Sequence, residues 1–152
     1  MNRLDKSILG ILQRDCTLAT TAIAERIGLS NTPCWRRIQN LEKNGVISAR
    51  VALLNRHHLN LAVDVFVAIR TSQHSATWLQ AFAKAVADLP EVVEMYRMSG
   101  DIDYLMRVVV PDIAAYDQFY QRLISRVEIS DVSSSFAMES MKYTTALPLD
   151  YA

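Results

Sequence analysis

The sequence is short of the features that mark several large classes of protein. No charge-poor apolar run approaches the roughly 18 residues needed to cross a bilayer, and Arg3, Asp5 and Lys6 interrupt the region where a signal peptide would carry its apolar stretch. The chain therefore reads as cytoplasmic, without a membrane partner. Cysteine is scarce. Cys16 and Cys34 are far apart and outside any CxxC pair, so in a reducing compartment they read as small buried thiols rather than a disulfide or a metal site. Only three histidines occur, His57, His58 and His74. Adjacent His57 and His58 cannot both face one ion from a regular helix or strand, and no HxxxH supports them. A P-loop, a GxGxxG and a GxSxG are all missing, and no Ser, His and Asp stand at spacings that suggest a triad. These gaps disfavour an enzyme, and the expectation is of no metal and no cofactor.

Net charge is lacking as well, since 16 Lys/Arg balance 16 Asp/Glu. Taken whole, that argues against a nucleic-acid partner, but the balance hides an uneven distribution. Residues 1–60 carry nine Lys/Arg against four Asp/Glu, a net +5, which leaves −5 on the remainder. Such asymmetry points to an interaction surface on the basic part and a different task for the acidic part.

What is present supports a folded protein: 152 residues, 51% of them apolar, suffice for a real core. In the first segment Leu4, Ile8, Ile11 and Leu12 recur at helical spacing, with Asp5 in the opening turn where it suits the helix dipole. A second helix over 20–27 turns Ala22, Ile23 and Ile27 inward and stops at Gly28. A third spans about 31–44: Ser30 is a good N-cap, Pro33 is acceptable only in a first turn, and Gly45 is a natural stop. Two helices joined through only Gly28, Leu29 and Ser30 meet the description of a helix-turn-helix. The β-prone pieces at 46–47 and 50–53 are expected to form a small wing and then a linker, with the boundary at 55–60.

On the third helix, steps of 100° bring Cys34, Ile38 and Leu41 into one narrow arc, the core side. Opposite lie Thr32, Arg36, Gln39, Asn40 and Lys43, flanked by Trp35 and Arg37, with no acid among them. This surface matches a DNA major groove, because Arg donates twice to guanine, Asn and Gln pair with adenine, and the helix's first turn enters deepest. Asn31, Thr32, Trp35 and Arg36 are the candidates for base edges. Arg37, Gln39, Asn40 and Lys43 are the candidates for phosphates, and Ser30, at the helix start, belongs to the same DNA-binding set. A solvated basic helix has the same polar outward face. The tight turn, the positive first segment and Trp35 among cations favour double-stranded DNA.

Beyond residue 60 the period changes. Strands are expected over 63–70, 92–98, 104–110 and 132–138, with helices carrying Trp78, Leu79, Phe82, Val86 and Leu89, and then Ile113, Tyr116, Tyr120, Leu123 and Val127. The order βαββαβ is the ferredoxin-like arrangement, both helices on one face of a four-stranded antiparallel sheet. The expected class is α+β: a winged helix-turn-helix with its linker over 1–60 and a ferredoxin-like domain over 61–152. VDVFVAI and YLMRVVV are apolar at nearly every position, whereas a sheet with one wet face should alternate. The second face thus requires a cover, and a homodimer formed sheet to sheet is the economical one.

The run LDKSILGILQRDCTLATTAIAERIGLSNTPCWRRIQNLEKNGVI resembles the N-terminal part of the Lrp/AsnC (feast/famine) transcription regulators, with Ser30, Arg37, Leu41, Glu42, Gly45, Val46 and Ile47 at that family's spacing. The second half looks like the same family's amino-acid-binding regulatory domain, of the type associated with regulation of amino acid metabolism. This resemblance implies dimers that dock paired recognition helices on operators, further assembly into octamers (a tetramer of dimers), and a small amino acid as effector.

The loop Ser99-Gly100-Asp101-Ile102-Asp103 is good hairpin chemistry and needs no ligand to explain it. An amino acid, however, demands a carboxylate for its ammonium group and N–H or hydroxyl donors for its own carboxylate. Asp101 and Asp103 supply the first; Gly100, Ser99 and the run Ser133, Ser134, Ser135 supply the second. Met98 and Tyr104 flank the loop as a candidate apolar wall, although core packing explains them equally well. The loop is similar to the Gly-Asp-x-Asp motif near which the family's effectors bind between dimers. Ile102 stands where Tyr is frequent, and 127–130 lacks the family's Pro-Gly. An amino-acid-binding scaffold that never touches DNA shares every feature of the second half and is the alternative reading.

Overall fold

A computed structural model describes all 152 residues, which divide by their internal contacts into two units: Met1–Leu53 with Met141–Ala152, and Leu54–Ser140.

In the first unit, α1 (Arg3–Leu12), α2 (Thr20–Ile27) and α3 (Asn31–Lys43) surround a small apolar centre of Ile8, Leu9, Leu12, Ile23, Ala24, Cys34, Ile38 and Leu41. Each helix begins and ends for a local reason. The Asn2 side chain caps α1 by accepting from Asp5 N–H at 2.9 Å, satisfying one of the donors a helix start leaves free. Gly28 ends α2 at φ 70°, ψ 34°, a left-handed conformation that only glycine adopts freely. Gly28 and Leu29 then return N–H bonds to Glu25 and Ala24 of the preceding turn. Ser30 holds the N-cap position of α3 in extended backbone, but its hydroxyl makes no capping bond.

The β-prone pieces after α3 pair with nothing in this chain. Val46 and Ile47 both give their N–H groups to the Leu41 carbonyl, at 2.9 and 3.1 Å, and so finish the helix instead of opening a ladder. The Arg50 side chain turns back onto Glu42, and residues 48–55 run without a strand. The segment Met141–Ala152 belongs to this unit: Leu149 packs on its apolar centre, and the Gln13 amide both donates to and accepts from the backbone of Leu147, at 3.1 and 2.9 Å.

The second unit begins at Leu54, at the head of the 55–60 boundary segment expected from the sequence rather than after it, and it ends at Ser140 instead of running to residue 152. The turn Arg56–Leu59 is fastened to the sheet by Arg56, which reaches the Asp64 carboxylate at 2.8 Å and the Leu61 carbonyl at 3.2 Å. The elements follow as β1 (Val63–Arg70), α4 (Ala76–Ala87), β2 (Val92–Arg97), β3 (Tyr104–Val110), α5 (Ile113–Arg126) and β4 (Asp131–Phe136), in antiparallel strand order β2-β3-β1-β4. This is the anticipated ferredoxin-like topology. Val65, Val67 and Ile69 of β1 and Tyr104, Met106, Val108 and Val110 of β3 face Phe82, Ala85, Val86, Leu89, Phe119 and Leu123 from the two helices. Fifteen buried residues make this the main core, and removing that much apolar surface from water is its chief source of stability.

The other face of the sheet is more polar than the strand sequences suggest. Phe66, Ala68, Leu105 and Val109 share it with an ion chain across three strands: Asp64 lies 3.0 Å from Arg107, and Arg107 lies 2.8 Å from Glu94. The Tyr96 hydroxyl donates to Glu94 at 2.8 Å. Asp64 is buried yet satisfied from both sides by guanidinium groups, as a buried charge must be.

Candidate functional site

The helical arc anticipated for α3 is realised. Cys34, Ile38 and Leu41 are buried, whereas Asn31, Thr32, Trp35, Arg36, Gln39, Asn40 and Lys43 are exposed. Trp35 leaves half its surface to solvent, 52%, although no core contact requires a large aromatic there. Arg36 and Lys43 take part in no ion pair, so both charges stand free. Two members of the expected set are engaged instead. Arg37 is half-buried and bound to Asp5 of α1 at 2.8 Å, and Gln39 donates to Glu42 at 3.0 Å.

Glu42 is the acid nearest this surface, and Arg50 offsets it with two bonds, from Nε at 3.1 Å and Nη2 at 2.7 Å. Sequence reasoning did not reach Arg50's role, because the residue lies beyond the helix and its return depends on an unpaired, extended segment. Burial pushes the Cys34 thiol above its ordinary value, which keeps it protonated and unreactive.

The second set of expected residues is divided between the two faces of the sheet by strand register. Ile102 reaches the open face at the end of β1, and Ser133 stands on that face opposite Ala68. Ser135, opposite Phe66, is on the same face but farther along. Ser134 and Tyr104 point the other way. Ser134 meets the Tyr116 hydroxyl beneath the sheet, and Tyr104 packs 4.9 Å from the Phe82 ring and 6.0 Å from Trp78. For Tyr104, core packing is the correct member of the two readings, and Ser134 cannot join Ser133 because neighbouring strand residues face opposite ways.

The loop between β2 and β3 is closed by Met98 N–H to the Asp103 carbonyl at 2.8 Å. Gly100 holds φ 127°, a value that L side chains rarely adopt. Asp103 is already committed: its carboxylate accepts from Thr71 N–H at 2.8 Å and its own N–H donates to the Ile69 carbonyl at 2.9 Å. It therefore builds the loop. The Asp101 side chain is exposed, and its carbonyl receives Arg70 Nε at 2.7 Å.

A cleft of ≈ 400 Å³ opens here, lined by Ala68, Arg70, Ile102, Asp131, Val132 and Ser133. Arg70 and Asp131 were not among the expected residues. Their only sequence signal is that each stands at a strand end, and the register that joins them is a tertiary fact. Met98, Ser99 and Gly100 lie in the neighbouring loop without lining the cleft.

Comparison with known proteins agrees with this division of labour. A family model described as winged helix-turn-helix DNA-binding matches residues 1–48, and one described as Lrp/AsnC ligand binding domain matches residues 64–147. The chain is 46% identical over 151 residues, 99% of each protein, to the DNA-binding transcriptional activator DecR of Escherichia coli. Among solved structures it is similar to an AsnC family transcriptional regulator from Agrobacterium tumefaciens, with 64% identity, a TM-score of 0.96 and 99% of each chain covered. It is also similar to the transcriptional regulator NMB0573 of Neisseria meningitidis in complex with L-Met, with 32% identity, a TM-score of 0.95 and coverage of 99% and 98%.

Proposed function

The chain belongs to the Lrp/AsnC family of DNA-binding transcriptional regulators, and from that premise we propose how its residues divide the work. The first turn and outward face of α3 enter the major groove, with Asn31, Thr32, Trp35 and Arg36 at base edges and Asn40 and Lys43 on phosphates; Arg37 and Gln39 reach phosphates once they exchange their present partners. The observation that carries this reading is the uncommitted Arg36 on an exposed helix face whose nearest acid is already paired. Free guanidinium groups in such a position read guanine bidentately.

The ferredoxin-like unit responds to a small amino acid held near Ser99, Gly100, Asp101 and Ser133, and it assembles the regulator into homodimers through the open sheet face and then into octamers. Phe66 and Tyr96, 41% and 53% exposed on that face, support a protein partner there. Effector binding between subunits changes their packing and hence the spacing of the two reading helices; the coupling equals the effector's difference in affinity for the two arrangements. No helix is long and apolar enough to cross a membrane, and we infer a cytoplasmic regulator with no catalytic step of its own.

Footprinting over the DNA upstream of the protein's own gene tests the first claim. Protection is expected to weaken steeply with salt as released counterions lose their entropic advantage. Arg36→Ala is expected to lower specific affinity by about 1–3 kcal/mol. No protected sequence at any salt, or an Arg36→Ala variant that binds as well as the parent, would overturn the assignment.

A further inference from the structure

The two tryptophans of the chain are used differently. Trp78 belongs to the fold: its ring stacks on Phe82 at 4.9 Å and its indole N–H donates to the Glu128 carbonyl at 2.9 Å. Trp35 has no such employment. It is 52% exposed, the only large apolar side chain of α3 that is, it is not among the residues packed on the apolar centre of its unit, and every aromatic pair of the protein lies in the other unit. Its surroundings are polar. Asn31 and Thr32 stand four and three positions before it and Gln39 four after, all exposed, and these are the spacings at which helix side chains are neighbours. Helix side chains lean toward the N-terminus, so the indole covers the first turn of α3 beside Thr32, the part of a recognition helix that enters a groove deepest.

The known uses of an exposed aromatic narrow quickly here. A protein-docking surface requires a contiguous apolar patch, and α3 has no second exposed large apolar side chain to extend one. Apolar wedges that unstack base pairs act from the minor groove, and stacking platforms serve unpaired bases. A recognition helix meets neither. What the major groove does present is a single apolar group, the C5 methyl of thymine, among donors and acceptors that α3 reads with its amides and cations.

We propose that Trp35 is a thymine-methyl reader: with α3 in the major groove, the indole face and the Thr32 methyl form an apolar notch that takes the C5 methyl of one thymine in each half-site. The operator of this protein therefore carries thymine at that position. Burying the methyl against the ring removes apolar surface of both from water, and none of the other three bases offers an apolar group to replace it. Cytosine there sets an amino donor beside an indole that cannot accept its hydrogen bond, so it is discriminated against as well as left uncompensated.

This inference rests on the DNA-reading assignment above and adds to it the base and the chemical group that Trp35 recognises. Operators selected by the full chain from a random duplex pool supply the probe, and each thymine is replaced in turn by deoxyuridine, which lacks only the methyl. One deoxyuridine in each half-site is expected to weaken binding about four-fold, the scale of one buried carbon. Bromodeoxyuridine at the same position, whose bromine matches the methyl in size, is expected to restore the affinity and to crosslink to Trp35 under ultraviolet light. Trp35→Ala is expected to bind the thymine and deoxyuridine operators equally, which a merely structural role for the indole would not produce. A half-exposed residue outside the apolar centre can be truncated at little cost, so the variant is expected to melt with the parent. Should it fail to fold, the crosslink on the parent chain decides. Operators without a methyl-sensitive thymine, a deoxyuridine effect that persists in Trp35→Ala, or no crosslink at Trp35 would overturn the proposal while leaving the DNA assignment intact. Failure of the chain to enrich any sequence would overturn both.

Discussion

Arg37 on the third helix is joined to Asp5 on the first at 2.8 Å, with the two side chains 33% and 19% exposed. The same bond that braces the reading helix withholds one of its cations from a phosphate. Asp5→Ala separates the two effects. Denaturant unfolding is expected to show a loss of about 1 kcal/mol, the upper range for a pair with some access to water. The freed guanidinium is expected to steepen the salt dependence of DNA affinity by about one unit of logarithmic slope. An unchanged slope would mean that Arg37 serves the fold alone.

The Glu94 carboxyl is held below its ordinary range, first by its hydrogen bond from Arg107 and then by that from Tyr96. A group whose folded pKa is depressed contributes stability above its unfolded value and loses it as pH falls through the folded one. The contribution is therefore whole at neutral pH and is lost on acidification below the ordinary glutamate value of about 4.3. Glu94→Gln is expected to make thermal stability less sensitive to pH across that acid window, with little change in shape above it. Parallel acid limbs for parent and variant would refute the linkage.

Asp64 is the hub of the ion chain, since Arg56 and Arg107 both converge on it. Removing its charge leaves two half-buried guanidinium groups facing one another. Asp64→Asn is expected to cost about 2–4 kcal/mol in urea unfolding, near the range for breaking a buried pair from one side. Replacing Asp64 and Arg107 together by apolar residues is expected to recover part of that loss, because the charges then left without these partners, Arg56 and Glu94, are the more exposed members of the chain.

Leu149 packs on the apolar centre of the first unit from 137 residues beyond Leu12, and it is only partly buried. Leu149→Ala is expected to destabilise that unit by about 1–2 kcal/mol, below the 2–5 kcal/mol of a fully buried leucine. Amide hydrogen exchange is the measurement of choice, with faster exchange expected in α1 and none in β1 or β3. Equal acceleration across the sheet would show that the effect is not confined to this unit.

The elements legible in the sequence were those whose causes are local. The second helix, the first strand and the third strand lie where periodicity, caps and turn residues put them, and the burial of Cys34, Ile38 and Leu41 follows from helical spacing alone. The candidate site was legible only in part, because strand register is set by partners far along the chain. Arg70 meets Asp131 across 61 positions, and no local pattern announces that pairing. YLMRVVV is apolar on both faces, so alternation gave no cue that Tyr104 points inward, and three consecutive serines look alike until register sends Ser134 one way and its neighbours the other. The pieces at 46–47 and 50–53 were misleading for a related reason: β-propensity describes a half-buried pleated surface, and within this chain no strand lies alongside to provide one.

Gln13 and Leu147 clasp each other across 134 positions of chain. During synthesis, then, the helices that emerge first must wait, with part of their apolar centre uncovered, until the whole of the sheet has been made. The head begins folding early and is completed late, and a ribosome stalled anywhere in between would carry a nascent reading domain still missing its final leucine.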